Sequence, residues 1–147
     1  MKKAFEGPIL RANPTLYSHL QPRFANDEHF ECGDGWAALI AALSHKLEAV
    51  ASTTIPAAFR AVQVKQKLGS LRVYVRGNVS EEVRESLDAA RQESVYICEK
   101  CGSAGRLHEH RSSGWIRTLC VSCAEADGFD PRPAQPDRQG EDHAGCD

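Results

Sequence analysis

No stretch of this 147-residue sequence keeps apolar residues together for anything near the ~18 that a membrane-crossing helix requires, so no spanning segment is expected. The opening MKKAFEGPIL holds two lysines but no sustained apolar run. No secretory leader is therefore read there, and a reducing cytoplasm is the expected setting. Neither sign of charge is in excess: 18 Lys and Arg stand against 20 Asp and Glu, for a net −2. The imbalance is local. Residues 127–147 carry six acidic and two basic groups, which leaves the rest of the chain slightly positive. Global charge thus neither marks nor excludes a nucleic-acid partner, and only a local patch would. A Ser–His–Asp set, a phosphate-cradling glycine loop and a paired-carboxylate motif are all missing. At this length the chain suits one modest core plus a small module.

What the sequence does hold is two Cys-x-x-Cys pairs, Cys98/Cys101 and Cys120/Cys123, separated by eighteen residues. Two intervening residues let the backbone curl so that both sulfurs of a pair point at one ion, and two pairs complete a tetrahedron. Gly102, just after the first pair, supplies the positive φ that such a knuckle needs. Disulfides would require an oxidising compartment, and two redox pairs in one short segment would be unusual. One closed, structural Zn²⁺ on Cys98, Cys101, Cys120 and Cys123 is the expectation. With four thiolates in place, His108 and His110 are read as surface residues. Cys32 is read as a small core or edge residue and Cys146 as a free thiol in the tail.

Taken in order, residues 1–12 carry no clear signal. Asn13-Pro14 looks like a helix start, followed by a short turn through Leu16, Tyr17 and Leu20. Phe24 and Phe30 are expected to dock on the core from an irregular segment. Trp36, Leu39, Ile40, Leu43, Leu47 and Val50 recur at helical spacing, which predicts a helix capped by Asp34 and ending near Ala51, with Trp36 turned inward. Gly33 and Gly35 are assigned to its entry turn. Val62 and Val64, then Leu71, Val73 and Val75, alternate with polar residues about Leu68-Gly69-Ser70, a half-buried β-hairpin. A third strand from Ala58–Arg60 or from the zinc module stays open. Ser80 caps a further helix with Val83, Leu87 and Ala90 inward, leading directly into the first cysteine pair. The organisation read from this is an α+β fold: a helix and hairpin core over 1–97, a four-cysteine zinc-ribbon-like module over 98–126, and a disordered tail over 127–147.

Two surfaces are candidates for binding. The outward hairpin face carries Lys65, Lys67, Arg72, Tyr74 and Arg76, cations that can neutralise phosphates beside a ring on which a base can stack. The same pattern is also what a solvated antiparallel strand presents. The segment between the cysteine pairs, with Arg106, His108, His110, Arg111 and Trp115, reads either as a presented contact loop or as a solvated loop whose Trp115 covers the knuckle.

GDGW (Gly33–Trp36), VQVKQKLGSLRVYV (Val62–Val75), and CEKCG followed by GW–TLC (Gly114–Cys120) together resemble a family of small phage and bacterial proteins. Its members combine a helical start, a QVK-K-G-LR-Y hairpin and a zinc-ribbon-like end. The resemblance covers roughly residues 24–124. In related sequences the last ligand is often the histidine of a Cys-x-x-His pair, where this chain has Cys123. The resemblance implies an architecture and carries no activity with it. By its phage company it implies a host-interaction role, such as inhibiting a defence complex or transcription machinery.

Two functions of different class follow. The first is a non-enzymatic zinc-bearing module that binds a protein complex or nucleic acid, with no membrane partner and no small-molecule cofactor beyond zinc. The alternative is a reduced HNH-type metal-dependent nuclease using His108 or His110. Such a site needs a metal-binding His or Asn on a helix after the second cysteine pair, where this sequence reads AEADG (Ala124–Gly128).

Overall fold

The computed structural model describes residues 1–133, and Cys146 and the rest of the expected tail lie outside them. The order of elements is α1 (Lys3–Ala12), a 3₁₀ turn (Asp34–Trp36), α2 (Ala37–Ala51), β1 (Phe59–Lys67), β2 (Ser70–Gly77), α3 (Glu81–Ser94), β3 (Arg106–His110), β4 (Ile116–Leu119), α4 (Val121–Asp127) and β5 (Phe129–Pro131). Two antiparallel sheets result, β1-β2 and β4-β3-β5, so the α+β expectation holds.

The apolar stripe of α2 becomes the main core. Trp36, Ile40, Leu43 and Leu47 are buried with Phe30, Phe59, Ala61, Val64 and Leu71 in one continuous cluster. Helix α3 covers the β2 side and also packs on α2. It begins as its sequence predicts, with the Ser80 hydroxyl accepting from the Val83 N–H.

The start of the chain differs from the expectation. Asn13 closes a helix instead of opening one: α1 precedes it, and the Asn13 amide donates back to the Ile9 carbonyl. Pro8 inside α1 obscures the helical pattern, and a tertiary contact compensates. The buried Glu6 carboxylate accepts from the backbone N–H groups of His29 and Phe30. Asp34 likewise caps a different element, accepting from the Lys2 N–H at the head of α1. Leu16, Tyr17, Leu20 and Phe30 are buried, but Phe24 is 48% exposed and does not dock.

In the hairpin, Ala58–Arg60 does not add a third strand, because Phe59 and Arg60 already belong to β1. A bulge between Ala61 and Gln63 shifts the register, so Phe59, Ala61 and Val64 point inward and Val62 does not. The turn is two residues long, with φ of 51° at Leu68 and 79° at Gly69. This left-handed pair is the usual hairpin connection, but Leu68 occupies it with a Cβ that such a conformation penalises by roughly 1–2 kcal/mol. Leu68→Asn is expected to raise stability by about 1 kcal/mol, read as a higher urea midpoint at unchanged slope.

The residues expected to be a loop, 106–115, instead form β3 and a tight turn into β4. Residues 127–131, expected to belong to a disordered tail, instead take part in regular structure. Asp127 ends α4, and β5 pairs with β3 through His108↔Pro131 and His110↔Phe129, with Phe129 buried.

Candidate metal centre and basic hairpin face

The first cysteine pair sits in a knuckle closed by the Gly102 N–H donating 2.8 Å to the Cys98 carbonyl, with φ of 81° at Gly102. The second pair sits at the head of α4. Cys120 is its N-cap, and its sulfur accepts from the Cys123 N–H at 3.5 Å. The β3–β4 hairpin brings these halves together. All four sulfurs, Cys98, Cys101, Cys120 and Cys123, lie within 4.8 Å of one another, an arrangement that could hold a metal ion. The Cys101 and Cys120 sulfurs are 3.7 Å apart. That matches the edge of a sulfur tetrahedron around zinc, about 3.8 Å for Zn–S near 2.3 Å. The four thiols do not share charge evenly. Hydrogen bonding with Ser103 holds the Cys101 thiol down to about 6, while burial first, and then the neighbouring sulfurs, push Cys123 up to about 12. A divalent cation relieves that conflict by stabilising every thiolate at once. Among the described residues this is the one group of three or more His, Cys, Asp or Glu placed to hold a metal.

The centre is joined to the core through the GDGW stretch. The Gly35 N–H donates 2.7 Å to the Glu99 carbonyl, and the Gly33 N–H donates to the Glu99 carboxylate. The Trp36 indole N–H donates to the Ile97 carbonyl. A Cβ on Gly35 would lie 2.1 Å from the Cys98 carbonyl oxygen, so glycine is needed there for close approach of two backbones. On the far side the Thr118 hydroxyl donates to the Gly69 carbonyl, which docks the β1–β2 turn on β4.

Glu99, between the first two cysteines, escapes any sequence pattern. It is buried, and its other carboxylate oxygen pairs with the Arg117 guanidinium at 3.0 Å. Only its contacts reveal it, because a glutamate in that position reads as surface.

Of the candidate contact residues of the module, His110 and Trp115 meet at Phe129, and His108 is withdrawn from the surface. His108, expected at the surface, is fully buried on β3, with Nδ1 2.8 Å from the Arg106 carbonyl; its ring cannot meet a partner. His110 packs edge-on against Phe129 and its Nδ1 contacts Ser112 and Ser113. Arg111 is paired with Asp130, whose carboxyl its guanidinium holds below the ordinary range. Trp115 is 55% exposed, with the Arg117 guanidinium over its ring and its centroid 6.3 Å from that of Phe129. Arg106 is exposed.

The basic hairpin face is a coherent surface. The register sets Arg60 opposite Arg76, Gln63 opposite Tyr74, and Lys65 opposite Arg72, with Lys67 opposite Ser70 beyond. None of these five cations forms an ion pair among the described residues, whereas Arg23, Lys100, Arg111, Arg117 and Arg132 all do. Arg72 lies beside Arg91 of α3. Burial first, and then that neighbouring positive charge, bring its guanidinium below its usual range. Asp88 lines the same groove. Arg60 was hidden from sequence alternation by the bulge, which reverses its side of the strand relative to Val64. No family model, curated protein or solved structure matches this chain.

Proposed function

We propose that this protein is a non-enzymatic nucleic-acid-binding module whose C-terminal part is held by one structural Zn²⁺ on Cys98, Cys101, Cys120 and Cys123. The observation that carries the binding reading is the outer hairpin face, where five cations, none of them in an ion pair among the described residues, stand with a half-exposed tyrosine. The nearby carboxylates lie at its margins, Glu31 accepting from the Gln63 amide and Asp88 lining the groove beside Arg72. A solvated strand face ordinarily mixes signs, because like charges directly opposite one another are unfavourable. Arg60 opposite Arg76 and Lys65 opposite Arg72 accept that cost, and a polyanion would relieve it.

The non-enzymatic part rests on four thiolates filling a tetrahedron and leaving no position for a reactive water. The burial of His108 supports it further. Four free thiols suit a reducing cytoplasm, and no described helix is long and apolar enough to cross a membrane. The resemblance to phage and bacterial proteins extends this reading to action by occupancy on the nucleic acid of host machinery.

The test is fluorescence anisotropy with mixed-sequence DNA and RNA oligonucleotides across a salt series. Changing Lys65, Lys67 and Arg72 together to Ala is expected to weaken binding tenfold or more near 100 mM salt. It should also flatten the slope of log affinity against log salt by about 2–3. Salt-independent binding, or none near ~50 mM salt, returns the face to a solvated role. Divalent-metal-dependent cutting of plasmid that is lost in His110→Ala would replace the reading with a nuclease.

A further inference from the structure

We infer that the hairpin face takes single-stranded rather than duplex nucleic acid, with one unpaired base stacked on Tyr74 between two pairs of phosphate-binding cations. This rests on the nucleic-acid reading above and goes further, to the form of the ligand and to residues outside the Lys65–Arg76 pattern.

The geometry lies in the order of rows across the two strands. Arg60 and Arg76 make one row, Gln63 and Tyr74 the next, and Lys65 and Arg72 the third. On β2 the rows at Arg76, Tyr74 and Arg72 stand two residues apart, about 7 Å each, while on β1 the bulge puts three residues between Arg60 and Gln63. That is the scale of one nucleotide in an extended chain. A cation pair, a ring and a second cation pair therefore repeat the phosphate, base and phosphate of a single strand. Tyr74 is 39% exposed, and the Lys65 ammonium stands over its ring, 5.5 Å from the centroid, so a stacking base takes the place of that ammonium and frees it for a phosphate.

The surface beside the ring is concave. A groove of about 730 Å³ is lined by His19, Arg23, Arg60, Gln63, Tyr74 and Arg76 among others; none of its lining residues is acidic, and the Glu31 carboxylate at its edge is taken up by the Gln63 amide at 2.8 Å. Arg60 spends its Nε–H on the Ser18 hydroxyl, which fixes the guanidinium while its terminal nitrogens keep donors for a phosphate. Arg23 is partly neutralised by Glu31 at 3.8 Å and serves at the margin.

A duplex does not use this arrangement. Its bases are stacked on one another, so their π-faces are closed to a side chain on an open sheet. Groove readers instead push a convex helix or ribbon toward base edges. A ring among cations on a sheet face gains from a base only when that base is already unstacked.

The experiment uses the full chain with zinc, and compares anisotropy of a labelled 15-nucleotide single strand with that of a hairpin duplex of the same sequence. Single strand is expected to bind at least tenfold more tightly. Tyr74→Leu should cost about tenfold on single strand and little on duplex, Tyr74→Phe should bind like wild type, and Arg60→Ala with Arg76→Ala should lower the salt slope by about 1–2. Unchanged thermal melting checks that each variant is folded. Equal affinity for duplex, with Tyr74→Leu silent, overturns the single-strand inference and leaves the nucleic-acid reading standing. Absence of binding to either, with a polyglutamate peptide bound through the same arginines, overturns both and makes the face a site for acidic protein.

Discussion

Replacing Cys120 with serine is expected to abolish stoichiometric zinc and to expose residues 98–131 to protease, while the α2 and hairpin core stays folded in a loosened form. The size of the effect follows from how little else holds the module. Its own buried apolar residues are Cys98, Leu119, Ala124 and Phe129, far fewer than the cluster around Trp36. A structural zinc contributes about 10–16 kcal/mol of apparent binding energy, which rivals the ~5–15 kcal/mol stability of a whole domain. Loss of one of four thiolates removes the closed tetrahedron and most of that energy. Metal content per chain and limited proteolysis read the result. His110→Ala should keep its zinc, because four cysteines already meet. His108→Ala should also keep it, but with a lower melting temperature, because His108 is buried on β3. A Cys120→Ser protein that still holds one zinc per chain would refute the assignment, as would release of zinc by either histidine change.

Gly35→Ala is expected to cost about 3 kcal/mol, a large effect for the addition of one methyl group. The added carbon would lie 2.1 Å from the Cys98 carbonyl oxygen, 2.5 Å from the Gly102 nitrogen and 2.7 Å from the Glu99 carbonyl oxygen. These are backbone atoms of the knuckle and cannot rotate away, so the 3₁₀ turn must move off and the Gly35–Glu99 hydrogen bond with it. Faster zinc release to a chelator should accompany the loss, since the knuckle leans on that contact. Gly7→Ala is the control. There the added carbon meets only the flexible end of Arg11 at 3.1 Å, inside helix α1, and the change should be neutral or slightly stabilising. If Gly35→Ala melts with the wild type, the close approach does not exist in solution.

Much of the chain was legible where neighbouring residues decide the structure. The α2 stripe, the Ser80 cap, the Leu68-Gly69 turn and the cysteine spacing are all local, and each appears where its pattern places it. Illegible parts depend on distant partners. Helix α1 contains Pro8 and depends on Glu6 meeting the backbone at residues 29 and 30. Strand β5 is three residues long, too short for any periodicity, and exists because β3 offers it an edge. The bulge before Gln63 carries no composition signal, yet it decides that Arg60 joins the basic face.

By itself, then, the sequence determined the four cysteines, the amphipathic helix, the hairpin and the basic character of its outer strands, since each follows from spacing along one segment. Tertiary structure alone decided that the GDGW glycines seat the cysteine knuckle, that His108 is interior, and that cations from both strands flank Tyr74 in rows. Backbone approach, burial and cross-strand register are relations between segments, and periodicity along one segment cannot contain them.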